Sequence, residues 1–289
     1  MKKGEVKSMK IVFSPNIHTY IEKVEALLLK KEASNNLILG LLDYFKTTIS
    51  RDVHFGYIEE NGIVTDAFMQ TPPNNWILAD IDSPNQASAS MLAANFYNKG
   101  IKVPGVLGPV EKVEAFVEEW TKRKRVTAAI HMHQLVYELR KVQVQIDGYG
   151  EMLPAAKADH DLVKRWLIHF GKEANEPMSE IKADQMATKY IENGSLYFWV
   201  VDGKPVSMAN QSRKTKNGAT INAVYTPDEF KRNGYATNVV AALSKKLLDE
   251  GFSFCSLYTD RENKTSNGIY KKIGYEVVGS SIVYHFENK

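Results

Sequence analysis

The chain has 289 residues, 44% hydrophobic and 25% charged, with 37 basic side chains against 34 acidic ones and a formal net charge of +3. That length and composition fit a globular protein with room for two ordinary cores, and the near balance of charge argues against a general nucleic-acid or membrane surface. A single cysteine, Cys255, excludes an intrachain disulfide framework, no apolar run reaches the roughly 18 residues of a membrane helix, and MKKGEVKSMK is not followed by an apolar segment of signal length, so a cytoplasmic location is expected.

Helical spacing of Ile21, Val24, Leu27 and Leu28 predicts a first helix over Ile21 to Lys31, and a second runs from Asn36 to Phe45. HFGYIEENGIVTDAFMQ then reads as a hairpin, because Asn61-Gly62 supplies the two positive-φ residues that a two-residue turn needs. NNWILAD is the next strand, followed by a helix from Gln86 to Asn98, the strand KVPGVLGP, a helix with Val113, Phe116, Val117 and Trp120 on one face, and the strand QLVYELRKV.

The second half runs in the same order. DHDLVKRWLIHFGKEA and SEIKADQMATKYIEN are helical, SLYFWVVDGKPVSMANQS is a hairpin turning at Asp202-Gly203, and the strand ATINAVYTP leads into a further helix. The strand SFCSLYTD, a helix from about Lys264 to Lys272 and the strand SSIVYHFEN close the chain. Registering VYEL (Val136 to Leu139) against VYHF (Val283 to Phe286) predicts a tandem duplication, with domains over residues 1–147 and 148–289.

The segment TPDEFKRNGYATNVVAALSKKLL is unusual at its helix start. Ala236, Val239, Val240, Leu243 and Leu247 form a packing face, with Asn238, Ser244, Lys245 and Lys246 largely elsewhere. No acidic residue complements the dipole in the first turn, whereas Lys231 and Arg232 add positive charge and Gly234 removes a Cβ from the approach to the free backbone N–H groups. Together these favour an anion such as a pyrophosphate, although the spacing is neither a dinucleotide-binding nor a Walker fingerprint.

With the downstream FCSLYTDRENKTSNGIYKKIGYEVV, this region resembles the core of the GNAT (Gcn5-related N-acetyltransferase) superfamily. The family's [QR]-x-x-G-x-[GA] signature reads here Lys231-Arg232-Asn233-Gly234-Tyr235-Ala236, with lysine in place of the usual Arg or Gln, and Arg232 is positioned to supply the missing cation. A second signature, an asparagine before a helix carrying Y-x-K-x-G-[FY], matches Asn263, Tyr270, Lys272, Gly274 and Tyr275. The resemblance covers roughly Glu151 to Phe286 and extends to the first half by element order alone. It implies an α/β (α+β) fold of two GNAT-like domains, each a mixed, mostly antiparallel sheet flanked by helices, the first being a degenerate copy. There the corresponding connection, DIDSPNQASAS, offers Asp80 and Asp82 where an anionic cosubstrate requires the opposite charge.

The same resemblance implies acetyl-CoA as cosubstrate, with no metal, bound by Val224, Tyr225 and Thr226 at a splayed strand end, by Lys231, Arg232, Asn233, Gly234, Tyr235, Ala236 and Thr237, and by Asn263, Ser266 and Tyr270. A backbone N–H near Ala223 to Thr226 would serve as the oxyanion donor and Tyr270 as the acid for the leaving thiolate. The implied reaction is direct acetyl transfer to the amine of a small molecule, or of a protein, within a ternary complex; a non-catalytic acyl-CoA-binding or sensing protein is the alternative. Nucleic acid and membrane are not expected partners, and an oligomer is possible.

No general base stands out: Asn222 occupies the strand position where some family members have glutamate, leaving Glu173, Glu176, His169 or ordered water. His131 and His133 share a strand face without an evident third metal ligand, and Cys255 in its apolar strand reads as core rather than nucleophile. Trp166, Phe198 and Trp199 fill core or line an acceptor cleft, with Trp166 the best placed for the cleft.

Overall fold

A computed structural model of the chain describes residues 9–48, 52–82, 86–146 and 149–288. In chain order the elements are β1 (Met9–Phe13), α1 (Ile17–Leu28), α2 (Asn36–Thr47), β2 (His54–Glu60), β3 (Ile63–Gln70), β4 (Trp76–Leu78), α3 (Gln86–Asn98), β5 (Gly105–Gly108), α4 (Val110–Arg123) and β6 (Val126–Leu139). They continue with β7 (Glu151–Pro154), α5 (His160–Glu173), α6 (Glu180–Glu192), β8 (Leu196–Val201), β9 (Lys204–Lys214), β10 (Gly218–Tyr225), α7 (Tyr235–Asp249), β11 (Phe254–Asp260), α8 (Lys264–Ile273) and β12 (Glu276–Asn288).

The chain folds as two compact units, Met1–Leu135 with Gly279–Lys289, and Val136–Val278. The division expected between residues 147 and 148 falls on positions outside the described residues. In the first unit the strand order is β1-β2-β3-β4-β5-β12, where β4 and β5 run parallel and the other pairs are antiparallel. In the second unit the order is β6-β11-β10-β9-β8-β7, where β10 and β11 are parallel and β7, β8, β9 and β10 are successively antiparallel. Each unit is thus mixed α/β and contains a parallel pair.

Local chemistry sets these elements. The two hairpins turn at Asn61-Gly62 (φ 52° and 80°) and Asp202-Gly203 (φ 48° and 73°), the positive-φ pairs that match the twist of the flanking strands. Asn16 and Ser179 cap α1 and α6 by accepting from the backbone N–H of Thr19 and Lys182. Two strands have no counterpart in the sequence reading: β1, a five-residue strand beside β2, and β7, a short exposed edge strand ending at Pro154, where a missing N–H is tolerated.

The first unit packs Trp76, Phe96, Phe116 and Trp120 on one side of its sheet and Tyr20, Leu28, Ile38 and Leu42 on the other. In the second, Val163, Trp166, Leu167, Phe198, Met208 and Tyr225 form a core under α5 and α6. On α7 the expected packing face holds for Val239, Val240, Leu243 and Leu247, but Asn238 and Ser244 are buried as well and Ala236 is only half-buried. Ser244 is accommodated because its hydroxyl donates to the Val240 carbonyl at 2.7 Å and meets the Tyr275 hydroxyl at 2.8 Å.

One buried charge is structurally costly. Lys112 is 1% exposed, and its ammonium donates to Asp66 at 2.7 Å and to the Ala79 carbonyl at 2.6 Å, while Ser88 donates to the other Asp66 oxygen at 2.8 Å. Every lone pair so engaged offsets part of the desolvation cost, and removing one partner strands the other. Lys112→Ala should therefore destabilise the protein by about 3–5 kcal/mol in urea titration, and Lys112→Met combined with Asp66→Leu should recover most of that loss.

Candidate functional site

The site is built where β10 and β11 part. Their register runs from Gly218 opposite Phe254 to Thr220 opposite Ser256 and goes no further, although both strands continue. The hydroxyls of Thr220 and Ser256, 3.0 Å apart, close the base of this fork. On its other edge β10 bulges: β9 advances two residues from Asn210 to Met208 while β10 advances three from Asn222 to Tyr225, and Ala223 takes φ 48°. A bulge with a left-handed residue re-aims the chain and frees backbone groups from the ladder. Val224, Tyr225 and Thr226 lie on this free end, where the Ser207 hydroxyl bonds both the Tyr225 carbonyl (3.1 Å) and the Thr226 hydroxyl (2.8 Å).

From Thr226 the chain passes through a short 3-10 turn (Asp228–Phe230) into the segment Lys231 to Gly234 and then α7. Arg232 (φ 66°) and Gly234 (φ 80°) both adopt the left-handed region, and a Cβ on Gly234 would meet open space. The first helical bond of α7 runs from Asn238 N–H to the Gly234 carbonyl, so the N–H groups of Tyr235, Ala236 and Thr237 have no partner within the helix. Gly234 gives no side-chain cap and the first turn carries no acid. The Asn233 side chain instead folds back onto the carbonyls of Phe230 and Lys231, fixing the turn.

The two cations of the loop separate. Lys231 is engaged by Asp228 at 2.6 Å and Glu173 at 2.8 Å, and these carboxylates hold its ammonium above the usual lysine range. Arg232 is exposed.

Across the fork, Asn263 caps α8 by accepting from the Ser266 N–H at 3.0 Å. Tyr270 lies on the buried face of α8 between Tyr137 and Tyr275, each with ring centroids 6.0 Å from it. Burial pushes its phenol above the usual tyrosine range, so the group is a neutral donor at any physiological pH. Tyr137 in turn donates to Asn267 at 3.2 Å, and the Asn267 amide reaches the carbonyls of Asp260 and Arg261, tying the end of β11 to α8.

A family model described as FR47-like protein matches residues 199–283, which contain the fork, the loop and Tyr270. Solved structures share the fold along nearly the whole chain. A GNAT-family acetyltransferase from Colwellia psychrerythraea is 14% identical with a TM-score of 0.57, over 97% of this chain and 100% of that one. A GCN5-related N-acetyltransferase from Sphaerobacter thermophilus is 11% identical with a TM-score of 0.62, over 95% and 94%. A tandem GNAT protein from the clavulanic acid biosynthesis pathway is 10% identical with a TM-score of 0.59, over 96% and 98%. No curated protein sequence gives a match. Residues 199–283 thus match the FR47-like family, and the fold is that of solved GNAT structures.

Within this GNAT fold the remaining candidates take defined places. Asn222 is bonded by Asn210 at 2.8 Å, and His169 on α5 meets the Tyr225 hydroxyl at 3.2 Å. Trp166, expected to fill core or line an acceptor cleft, is buried: it packs edge-on against Phe198 and Tyr225. His131 stacks on His285 with centroids 4.6 Å apart. Tyr137, Ser207 and the pairing of Glu173 with Lys231 escaped sequence reasoning, since each depends on a contact distant in sequence.

In the first unit the equivalent position is closed. Gly108 (φ 149°) brings β5 against β4, where a Cβ would stand 2.6 Å from the Leu78 carbonyl oxygen. The Ala79 carbonyl, just past β4, accepts the Lys112 ammonium, and Asp80 is paired with Lys31 at 3.0 Å and with the Asn35 side chain through its own N–H.

Cys255 is fully buried on β11, its thiol directed at the Ser244 carbonyl and pushed by burial up to about 12. The native protein should therefore leave this thiol unreacted with an aromatic disulfide reagent at pH 8 and release one equivalent per chain on denaturation. Rapid labelling of the native form would contradict the burial.

Proposed function

We propose that the chain is an acetyl-CoA-dependent N-acetyltransferase that moves the acetyl group directly onto an amine of a small molecule, in a ternary complex, using the site in its second half. The observation that supports this reading is that one unit holds the forked end of β10, the uncapped N-terminus of α7 directly after it and, on α8, the buried phenol of Tyr270. Residues 148–289 are assigned as the acetyl-CoA-binding domain and residues 1–147 as a degenerate copy, whose filled cleft at Lys112 and acidic Asp80 suit no anionic cosubstrate.

The loop fits a pyrophosphate. The N–H groups of Tyr235, Ala236 and Thr237 carry the positive end of the α7 dipole, Gly234 leaves the approach open, and Arg232 adds the cation. Lys231, bound to Glu173 and Asp228, acts as a brace that positions the loop rather than as a phosphate ligand. Asn263, which caps α8 by accepting from the Ser266 N–H, and Ser266 itself are assigned to the remaining length of the cosubstrate.

Chemistry follows at the fork. The free amine attacks the thioester carbonyl, a C–N bond forms, the C–S bond breaks, and the proton lost from nitrogen is balanced by one gained at sulfur. A backbone N–H on the bulged end of β10, at Val224 or Tyr225, donates to the carbonyl oxygen as it gains charge, an effect worth about 3 kcal/mol at such positions. Tyr270 donates to the leaving sulfur: a phenol held neutral is a competent acid toward a thiolate whose conjugate acid has a pKa of about 8.5. The site needs no metal for these steps. A cytoplasmic setting with small-molecule partners, and neither nucleic acid nor membrane, completes the proposal.

Acetyl-CoA-dependent thiol release over a panel of amines tests the reading. Turnover should appear with at least one amine, and Tyr270→Phe should lower kcat by about 100-fold or more with acetyl-CoA affinity nearly intact. Because the Tyr270 pKa is raised, the rate should not fall through pH 9–10 from loss of its proton; unchanged turnover in the Phe variant would reduce Tyr270 to a packing role.

For the loop, Gly234→Asp places a carboxylate and a strained left-handed residue beside the three N–H groups. Acetyl-CoA binding measured by calorimetry should weaken by about 100-fold or more. Wild-type affinity in that variant would remove the pyrophosphate assignment.

A further inference from the structure

The first unit holds a cleft of about 1240 Å³ outside the proposed transfer site. It lies where β2, β4 and β5 begin and β12 ends, beside the carboxyl ends of α3 and α4. This is the far end of the parallel pair from Ala79 and Gly108, so the cleft is separate from the closed position described above. Its apolar lining is aromatic. Phe13 and Phe286 are half-buried, and Trp120, 1% exposed, packs against Phe286 with ring centroids 6.1 Å apart. Trp76 is fixed by donating from Nε1 to the Lys102 carbonyl at 3.0 Å, and the exposed His54 ring stacks on it at 5.8 Å and 17°. Rings held in this way accept another flat ring in offset or edge-on contact.

The polar lining has more donors than partners for them. Lys99 Nζ stands 4.8 Å from the centroid of the Phe13 ring and Lys124 Nζ 5.3 Å from that of Trp120, so two ammonium groups are held over the aromatic lining. Among the described residues these two and the Lys102 ammonium have no carboxylate or carbonyl partner, and the His54 ring nitrogens have no hydrogen bond. Trp120 Nε1 is buried and also lacks an acceptor among the described residues. Asp52 is the one acid in the lining against three lysines. Helix dipoles favour a cation at the carboxyl ends of α3 and α4, which accounts for the sign of Lys99 and Lys124 but not for Lys102 or for the unmatched indole N–H.

A ligand that suits this lining is flat and apolar over most of its length and ends in an anion rich in acceptors. We infer that the first unit binds a small aromatic carboxylate in this cleft, with its rings against Phe13, Phe286 and Trp120 and its carboxylate among Lys99, Lys102 and Lys124. Burial of the rings supplies most of the affinity, and the charge-assisted bonds to the ammonium groups set the orientation. A carboxylate has lone pairs for several donors at once, which an amide or an alcohol of the same shape does not. The binding site is independent of the acetyltransferase reading, because it shares no residue with the fork, the α7 loop or α8.

Calorimetry on the full chain with 2-naphthoate, 2-naphthamide and octanoate tests it. 2-Naphthoate should bind at one site per chain, at least about 10-fold tighter than either the uncharged amide or the alkyl acid. Lys99→Gln combined with Lys124→Gln should weaken naphthoate binding by about 10-fold or more with acetyl-CoA affinity unchanged, whereas Gly234→Asp should leave naphthoate binding intact. In the unaltered chain, saturating naphthoate should protect Lys99 and Lys124 from reductive methylation, read by mass spectrometry, which keeps the test independent of how any variant folds. Absence of binding, an amide or alkyl acid that binds as well, unprotected lysines, or an affinity unmoved by the lysine changes would overturn the inference. Displacement of naphthoate by acetyl-CoA would overturn it too, since that places the anion at the α7 loop of the second unit.

Discussion

The separation of two parallel strands is the constraint on which the candidate site depends. Parallel strands need a crossover, and here the crossover is α7, so the chain must leave β10, turn and enter a helix whose first N–H groups have no partners of their own. The strands hold together only as far as Thr220 and Ser256, and beyond that point the backbone of β10 is released by the bulge at Ala223. An open strand end and an open helix end are therefore consequences of one break in the ladder. Both ends are only partly covered, so their backbone groups are open to water or to a ligand.

The same connection in the first half shows what it takes to remove such a break. There β5 is pressed onto β4 through Gly108, and the carbonyl just past β4 is satisfied by a buried lysine whose charge needs a buried aspartate and a serine to be tolerated. A cation inside a core is an expensive way to satisfy one carbonyl, and it is retained only with its full set of partners. The two halves share an order of elements and differ in whether the end of the parallel pair is filled from within the chain or left for something else.

This difference governs what the sequence made legible. The turn residues, the capping asparagine and the apolar faces are local signals, and the hairpins at Asn61-Gly62 and Asp202-Gly203, the cap at Asn263 and the faces of α4 and α7 follow from them. Burial of Asn238 and Ser244 on α7 was not legible, because the partner that admits Ser244 is Tyr275, 31 residues away. Nor was the division of the chain: Gly279–Lys289 belongs to the first unit and Val136–Leu139 of β6 to the second, so each unit takes a strand segment from the other half of the sequence. Strand partners are chosen by long-range packing and register, on which neighbouring residues are silent.

The loop at Lys231 carries this furthest. In sequence Lys231 and Arg232 are interchangeable cations beside a glycine, and the family signature favours the first position. In the fold Lys231 is claimed from both sides, by Asp228 three residues earlier and by Glu173 at the end of α5, whereas Arg232 sits on the exposed, left-handed crest of the turn. A lysine ammonium is a compact charge that suits such bracing, while a guanidinium fork suits oxygen pairs on a ligand. The substitution of lysine at the signature position and the presence of arginine directly after it then form a single arrangement: one cation fixes the turn, and its neighbour stands on the exposed crest beside the uncapped N-terminus of α7.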